Sequence, residues 1–337
     1  MNVVNNVLRS YAIYPIDVEK ITGKLYKVSD GNITYALKKS SLSMQNKYHF
    51  HSVYQQANNH NITSIVPVYL TQRGEIYEET EQGIFYLTPW INAEQSHSTK
   101  QPIVNFYQTI GRIHAETKRT KSISTNQMIS DFHTYKSFCL ASQNKLLEFV
   151  DLFERTRYMS PIELLVCTHF RDLELALRES IKRIDQFVDG QEEETAWNYS
   201  LCHGDLKFSH LINAETFYII NWEKASYGHA VTDLAGFFNC EAANFDFPAN
   251  EIIELFEKYY DENELSNNEL YLLSIHLLNP IDYLRIVQDY SKKSSEETMI
   301  NQIIKLQHAY RKIRFGLQWS NYVETEHETI SLEDLES

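Results

Sequence analysis

No stretch of this chain approaches the roughly 18 uninterrupted apolar residues of a membrane span, so no spanning helix is expected. The opening residues, MNVVNNVLRSYAIYPIDVEK, lack a basic region followed by a long apolar run. No signal peptide is expected, and synthesis in the cytoplasm is the reading that follows. Basic residues are in deficit: 31 Lys and Arg against 45 Asp and Glu give a formal net charge of −14. That balance argues against nucleic acid as a partner, because phosphate contacts need clustered Lys and Arg. It also disfavours docking on an anionic membrane. Cysteine is sparse, and Cys139, Cys167, Cys202 and Cys240 form no Cys-x-x-Cys pair. Reduced, mostly buried thiols are expected rather than a metal site.

What the chain does have is length and aromatic bulk. With 337 residues, 43% of them hydrophobic, it can bury a sizeable core as one large domain or two lobes. The first ninety residues read mainly as strands. Lys24–Val28 and Ile33–Lys39 flank Ser29-Asp30-Gly31-Asn32, and Asp-Gly between apolar runs signals a hairpin. Glu75–Glu79 and Ile84–Leu87 flank Glu81-Gln82-Gly83 as a second hairpin, with a helix expected over 46–59 between the two. Ile65–Leu70 reads as a short edge strand, Pro67 being tolerated at an edge. After Trp90 helical spacing takes over, with Ile103, Phe106, Tyr107, Ile110, Ile113 and His114 on one face. Helices are expected over 127–158, 161–188, 249–260, 267–278, 280–291 and 297–318. A β-rich lobe over 1–90, a helical lobe over 91–322 and an acidic, frayed tail over 323–337 make an α+β, two-lobed arrangement. The cleft between lobes is then the expected ligand site.

The chemistry concentrates in Leu201-Cys202-His203-Gly204-Asp205-Leu206-Lys207-Phe208-Ser209-His210, followed by Ile219-Ile220-Asn221-Trp222-Glu223. A His-x-Asp turn, a short apolar strand, a polar turn and a second apolar strand bring Asp205, His210 and Asn221 near one another. In phosphoryl transfer such an Asp accepts a hydroxyl proton or orients the nucleophile, while two later oxygen ligands hold magnesium against the phosphates.

This segment resembles the HGDxxxxN loop and I-D-[WF]-E segment of the aminoglycoside-phosphotransferase and choline-kinase branch of the kinase-like superfamily. Val231-Thr232-Asp233-Leu234-Ala235 is similar to that branch's D-L-A, Ile110–His114 to its L-x-x-L-H helix, Tyr86–Ile91 to its hinge and Ala36-Leu37-Lys38 to its A-L-K strand. The likeness covers roughly residues 20–240 in the expected order. It implies a protein-kinase-like (aminoglycoside phosphotransferase-like) fold, ATP as cofactor, Asp205 as the catalytic residue and Lys38 on the phosphates. Gly23, His210 and Asn221 take the other cofactor-binding positions, and Asp233 braces the loop. Val7-Leu8-Arg9-Ser10-Tyr11, Gly23–Val28, the Ala-Leu-Lys-Lys strand and the Tyr-Leu-Thr-Pro-Trp-Ile hinge resemble the CotS family of spore-coat kinase-like proteins, including its YsxE-type members. That likeness implies spore-coat proteins as partners, with synthesis in the mother cell and a final location in the coat.

The pattern also departs from the branch. His210 stands where the loop's metal-binding Asn is expected, and Asn221 where the magnesium-binding Asp is expected. Magnesium prefers hard, anionic oxygen, so it is expected to be held poorly, and no residue is assigned as a metal ligand. A single glycine, Gly23, serves the nucleotide loop. No acidic residue lies between Lys39 and Gly74, so Lys38 lacks the usual glutamate and is left with Gln45, Gln55 or Gln56. Strand alternation is expected to turn Glu223 away from the Asn221 side, and His203 is expected to bond loop backbone. Three functions stay open: a degenerate kinase acting as coat component or scaffold; an active ATP-dependent phosphotransferase on a small-molecule hydroxyl or coat protein; and a nucleotide-sensing module.

Overall fold

The computed structural model describes residues 2–43, 46–93 and 100–328. The chain divides into two compact units, Met1–Lys118 with Tyr199–Gly228, and Arg119–Asn198 with His229–Ser337. The class is α+β, as expected. The first unit runs past residue 90 because helix and loop segments from both stretches pack together: the Phe106 and Phe208 rings lie 6.4 Å apart, and Ser200 Oγ donates to the His114 carbonyl.

Helix α1 (Asn2–Ser10) leads into β1 (Asp17–Lys20), β2 (Leu25–Ser29) and β3 (Thr34–Lys39), followed by α2 (Lys47–Asn59), β4 (Glu78–Thr80), β5 (Gly83–Pro89) and α3 (Lys100–Glu116). The five strands form one antiparallel sheet in the order β1-β2-β3-β5-β4. Both expected hairpins are present. In the first, Asp30 Oδ1 accepts from the Asn32 and Ile33 amides, and Gly31 takes a φ of 97° that side chains resist. Strand alternation then divides the sheet's faces. Tyr35, Leu37, Phe85 and Leu87 pack with Val7 and Leu8 of α1, and with Tyr11 just after it, in one core cluster. Phe50 of α2, Tyr86 and Ile76 form another. The α1 helix escapes the strand reading of the first ninety residues, although Val3, Val4, Val7 and Leu8 carry its i, i+4 stripe.

The expected edge strand at 65–70 is not formed. Ile65 makes only an isolated parallel bridge to Ile219, and the Tyr69 amide donates to the Leu87 carbonyl. Pro67 lacks the N–H that a continuous ladder needs at its centre.

In the second unit β6 (Arg119–Ser124) precedes two long helices, α4 (Asn126–Glu154) and α5 (Pro161–Asp189). Ser160 and Glu163 form a reciprocal capping box at the start of α5, with Pro161 in its first turn. Strand β7 (Glu194–Cys202) then enters the first unit. There β8 (Leu211–Asn213) and β9 (Phe217–Ile219) make a short hairpin, and β10 (Ser226–Gly228) pairs with β7 at Ser226↔Cys202. The second unit closes with α6 (Ala230–Glu241), α7 (Ala249–Glu254), α8 (Glu257–Tyr260), α9 (Asn267–Leu277), α10 (Ile281–Ser291) and α11 (Met299–Val323). Residues 324–328, expected to fray, instead continue α11 as a π-helical turn, and Glu328 pairs with the buried guanidinium of Arg183. The rest of the expected tail, 329–337, lies outside the described residues. No described helix is long and apolar enough to cross a membrane.

Candidate functional site

Register places the first functional side chain. Leu37 is buried in the α1 cluster, so its neighbours Ala36 and Lys38 face the opposite side of the sheet. Lys38 is the direct cross-strand partner of Tyr86, and its ammonium stands 5.7 Å from the centre of the tyrosine ring. A cavity of about 440 Å³ opens on this face, within the first unit. Leu25, Ala36, Val66, Trp90, Ile212 and Ile219 give it apolar walls, and Lys24, Lys38 and Asn221 are among its polar members, with Thr22, Thr88 and Ser209. Its size and its apolar lining with few polar groups suit a small ligand with a flat apolar ring.

The floor is built by the segment after β9. Asn221 adopts a left-handed conformation, φ 72° and ψ 47°, and residues 222–224 follow as a 3-10 turn rather than as strand. The Trp222 indole closes this turn by donating to the Ile219 carbonyl at 2.9 Å. The alternation expected for Glu223 therefore does not operate, and its carboxylate comes to the Asn221 side. Glu223 Oε1 lies 2.6 Å from the Lys38 ammonium and accepts from the Tyr86 hydroxyl at 3.1 Å. Lys38 also donates to Asn221 Oδ1. The expectation that Lys38 lacks an acidic partner is thus corrected: Glu223, not a glutamine of α2, fills that role. Gln45 lies outside the described residues. Burial, followed by the nearby Glu223 carboxylate, raises the Tyr86 hydroxyl well above the usual phenol range, so it stays a donor.

The loop carrying Asp205 is held against the same turn. Gly204 has φ 75°, and a Cβ built on it would lie 2.3 Å from the Lys224 carbonyl oxygen. Only glycine fits this close approach. The Asp205 amide donates to His203 Nδ1 at 3.2 Å, so Nε2 carries the ring hydrogen and donates to the Ile220 carbonyl at 2.8 Å. His203 thereby ties loop to strand through backbone groups. Asp205 itself sits between two ammonium groups, Lys207 at 2.8 Å from Oδ1 and Lys224 at 3.1 Å from Oδ2. Partial burial pushes its carboxyl up, but Lys207 and then Lys224 outweigh that and hold it below the usual range.

His210 ends the loop with its ring 5.5 Å from that of His203. Burial, then the neighbouring His203, lowers its pKa to about 4, so the ring is neutral, and its Nδ1 has no hydrogen-bond partner among the described residues. Gly23 is not brought to the cavity. Thr22 and Lys24 on either side line it, whereas a Cβ on Gly23 would meet nothing within 4 Å. Asp233 is buried on α6 in the second unit.

A nucleotide and magnesium, the groups the resemblance implies, meet different fits here. The cavity's apolar walls and the Lys38 ammonium suit a nucleotide. The metal positions offer an amide oxygen already bonded to Lys38, a half-buried neutral imidazole, and a carboxylate already shared by Lys38 and Tyr86. That donor set does not fit an ion that demands octahedral oxygen with available negative charge. Sequence reasoning missed Glu223, Tyr86 and Lys224 as members of the site. A tolerance of asparagine for left-handed backbone was the available signal at position 221.

Comparison with known proteins agrees with this architecture. No curated protein matches the chain. Among solved structures, an aminoglycoside phosphotransferase from Alicyclobacillus acidocaldarius subsp. acidocaldarius DSM 446 superposes with a TM-score of 0.67 at 15% identity, over 95% of this chain and 96% of that one. The AMP-bound complex of spectinomycin phosphotransferase APH(9)-Ia superposes with a TM-score of 0.56 at 14% identity, over 94% and 97%. Amicoumacin kinase hAmiN, in complex with AMP-PNP, calcium and Ami, gives 0.50 at 13% identity, over 95% and 92%. At these identities the likeness is one of fold. The family model described as the phosphotransferase enzyme family matches residues 21–266, more than half the sequence, and the chain belongs to that family.

Proposed function

We propose that this chain is a degenerate kinase: it keeps the family's nucleotide pocket, has little or no phosphotransfer activity, and serves as a component or scaffold of the spore coat. The observation that carries the reading is the state of the metal positions. Asn221 supplies an amide where anionic oxygen is needed, and it is bonded to Lys38. His210 supplies a neutral, buried nitrogen. No well-held metal ion would then bridge and polarise a transferring phosphoryl group in its transition state. Asp205, held anionic by two lysines, is also a weak proton acceptor. The nucleotide part of the reading draws support from relatives of the same fold that bind AMP, ADP or AMP-PNP. The coat part rests on the CotS-type segments of the sequence, with synthesis in the mother cell before coat assembly. Turnover of labelled ATP, compared between the natural chain and Asp205→Ala, tests the catalytic claim. The expected result is no turnover above background in either. Turnover that disappears in the variant would overturn the reading. A fluorescent fusion followed through sporulation tests the location, with a coat ring expected and a diffuse mother-cell signal against it.

A second reading, an active phosphotransferase on a small-molecule hydroxyl or a coat protein, is favoured by two observations: the Lys38–Glu223 pair is formed, and Asp205 is retained. The same turnover comparison decides between the two.

A further inference from the structure

Phosphate sites in proteins neutralise their ligand with backbone N–H groups, with a metal ion, or with cationic side chains. The first source is thin in this pocket. The Lys24 and Leu25 amides both donate to Thr22 Oγ1, at 3.2 and 3.1 Å, so they are already used within the turn that borders the cavity. The second source does not fit the donors present, as argued above. The third is abundant. Lys24 and Lys38 line the cavity. Lys38 touches Asn221, the 3-10 turn from Asn221 ends at Lys224, Lys224 reaches Asp205, and Asp205 reaches Lys207. This strip carries four ammonium groups and only two carboxylates, Asp205 and Glu223, in a chain whose net charge is −14. A local cationic excess on an acidic protein is the signature of an anion site.

Resting on the nucleotide-pocket reading, we propose that the site takes a nucleoside triphosphate as the free, metal-less anion, with Lys38, Lys207 and Lys224 supplying the positive charge that magnesium supplies in phosphoryl transfer. Lys224 is 56% exposed and Lys207 35% exposed. Each can leave Asp205 for a phosphate oxygen at the small cost of a solvent-screened pair. The metal complex carries less negative charge than the free nucleotide, so the same lysines hold it less tightly.

Titration calorimetry on the full chain tests this, with ATP in a chelator, ATP in excess magnesium chloride, and adenosine as the uncharged control. The expected result is tighter binding in chelator than in magnesium. Lys207→Ala with Lys224→Ala should weaken metal-free ATP about tenfold or more while leaving adenosine unchanged. Lys224→Arg, which keeps the charge, should retain the affinity, so a loss caused by misfolding is told apart from a loss of charge. Binding of ATP only when magnesium is present, or lysine variants that bind metal-free ATP as the natural chain does, would overturn the inference and leave the nucleotide reading standing. Failure of both ATP and adenosine to bind under either condition would remove the nucleotide reading and this inference with it.

Discussion

The Lys38 ammonium of β3 and Glu223 Oε1 of the turn after β9 stand 2.6 Å apart, with Tyr86, the strand partner of Lys38, completing the contact. A lysine–glutamate pair is thus supplied from the loop segment, because α2 carries no acidic residue. Glu223 is buried and Lys38 is 22% exposed, so removing one partner leaves a poorly solvated charge. Glu223→Gln and Lys38→Met should each lower stability by about 3 kcal/mol. The double variant should lose clearly less than the sum, by about 1 kcal/mol or more. Urea unfolding of all four proteins measures this coupling, and additive losses would show that the pair contributes nothing of its own.

Two glycines in the expected site should behave in opposite ways. Gly204 faces the Lys224 carbonyl at positive φ, whereas Gly23 opens onto free space. Gly204→Ala should cost more than about 2 kcal/mol through collision and backbone strain, and Gly23→Ala less than about 0.5 kcal/mol. Thermal melts of the two variants check the contrast. Equal shifts would refute the close approach of the Asp205 loop to the turn.

Much of this architecture was legible because the signals were local. Asp30-Gly31 and Gly83 marked the hairpins, and the spacing from Ile103 to His114 marked α3. What escaped depended on a single backbone residue or on distant partners. One left-handed residue at Asn221 turns Glu223 from the wrong side of a strand to the right side of a turn, and no glycine or proline announces it. The Lys38–Glu223 contact joins segments far apart in sequence, which periodicity cannot reveal. Likewise Pro67 sits among β-branched neighbours that read as strand, but there the described residues form an isolated bridge at Ile65 and one amide bond from Tyr69, not a continuous ladder.

Arg183 offers a test of the second unit. Its buried guanidinium donates to Ser320 Oγ at 3.0 Å, to the Ser320 carbonyl at 2.8 Å and to Gln186 Oε1 at 3.0 Å, pairs with Glu328, and lies over the Tyr271 ring. A planar fork makes these bonds together, which an ammonium cannot reproduce. Arg183→Met and Arg183→Lys should therefore both destabilise by about 2–4 kcal/mol, read as a fall in urea midpoint. Full retention of stability in Arg183→Lys would mean that charge alone, not the fork, secures the π-helical turn.

His210 makes the pH dependence of stability a probe of the site. Its folded pKa is about 4 against an ordinary 6.5, because burial and then His203 disfavour the charged ring. Between those two values the unfolded chain binds a proton that the folded chain refuses, so stability is fully present above 6.5 and declines as pH falls towards 4. After discounting for partial exposure, His210 should account for a loss of about 1 kcal/mol between roughly pH 7 and roughly pH 5. His169, held near 4 by burial in the second unit, adds a separate share of the same sign. His210→Asn should flatten the slope by its own share and leave the remainder. It also restores an oxygen donor beside Asp205, so combined with Asn221→Asp it should raise affinity for magnesium-ATP. Urea midpoints at both pH values and calorimetry on the double variant provide the two readouts. An unchanged slope in His210→Asn would mean that the imidazole is not held neutral in the loop, and unchanged metal-nucleotide affinity in the double variant would mean that the amide and imidazole are not what excludes the ion.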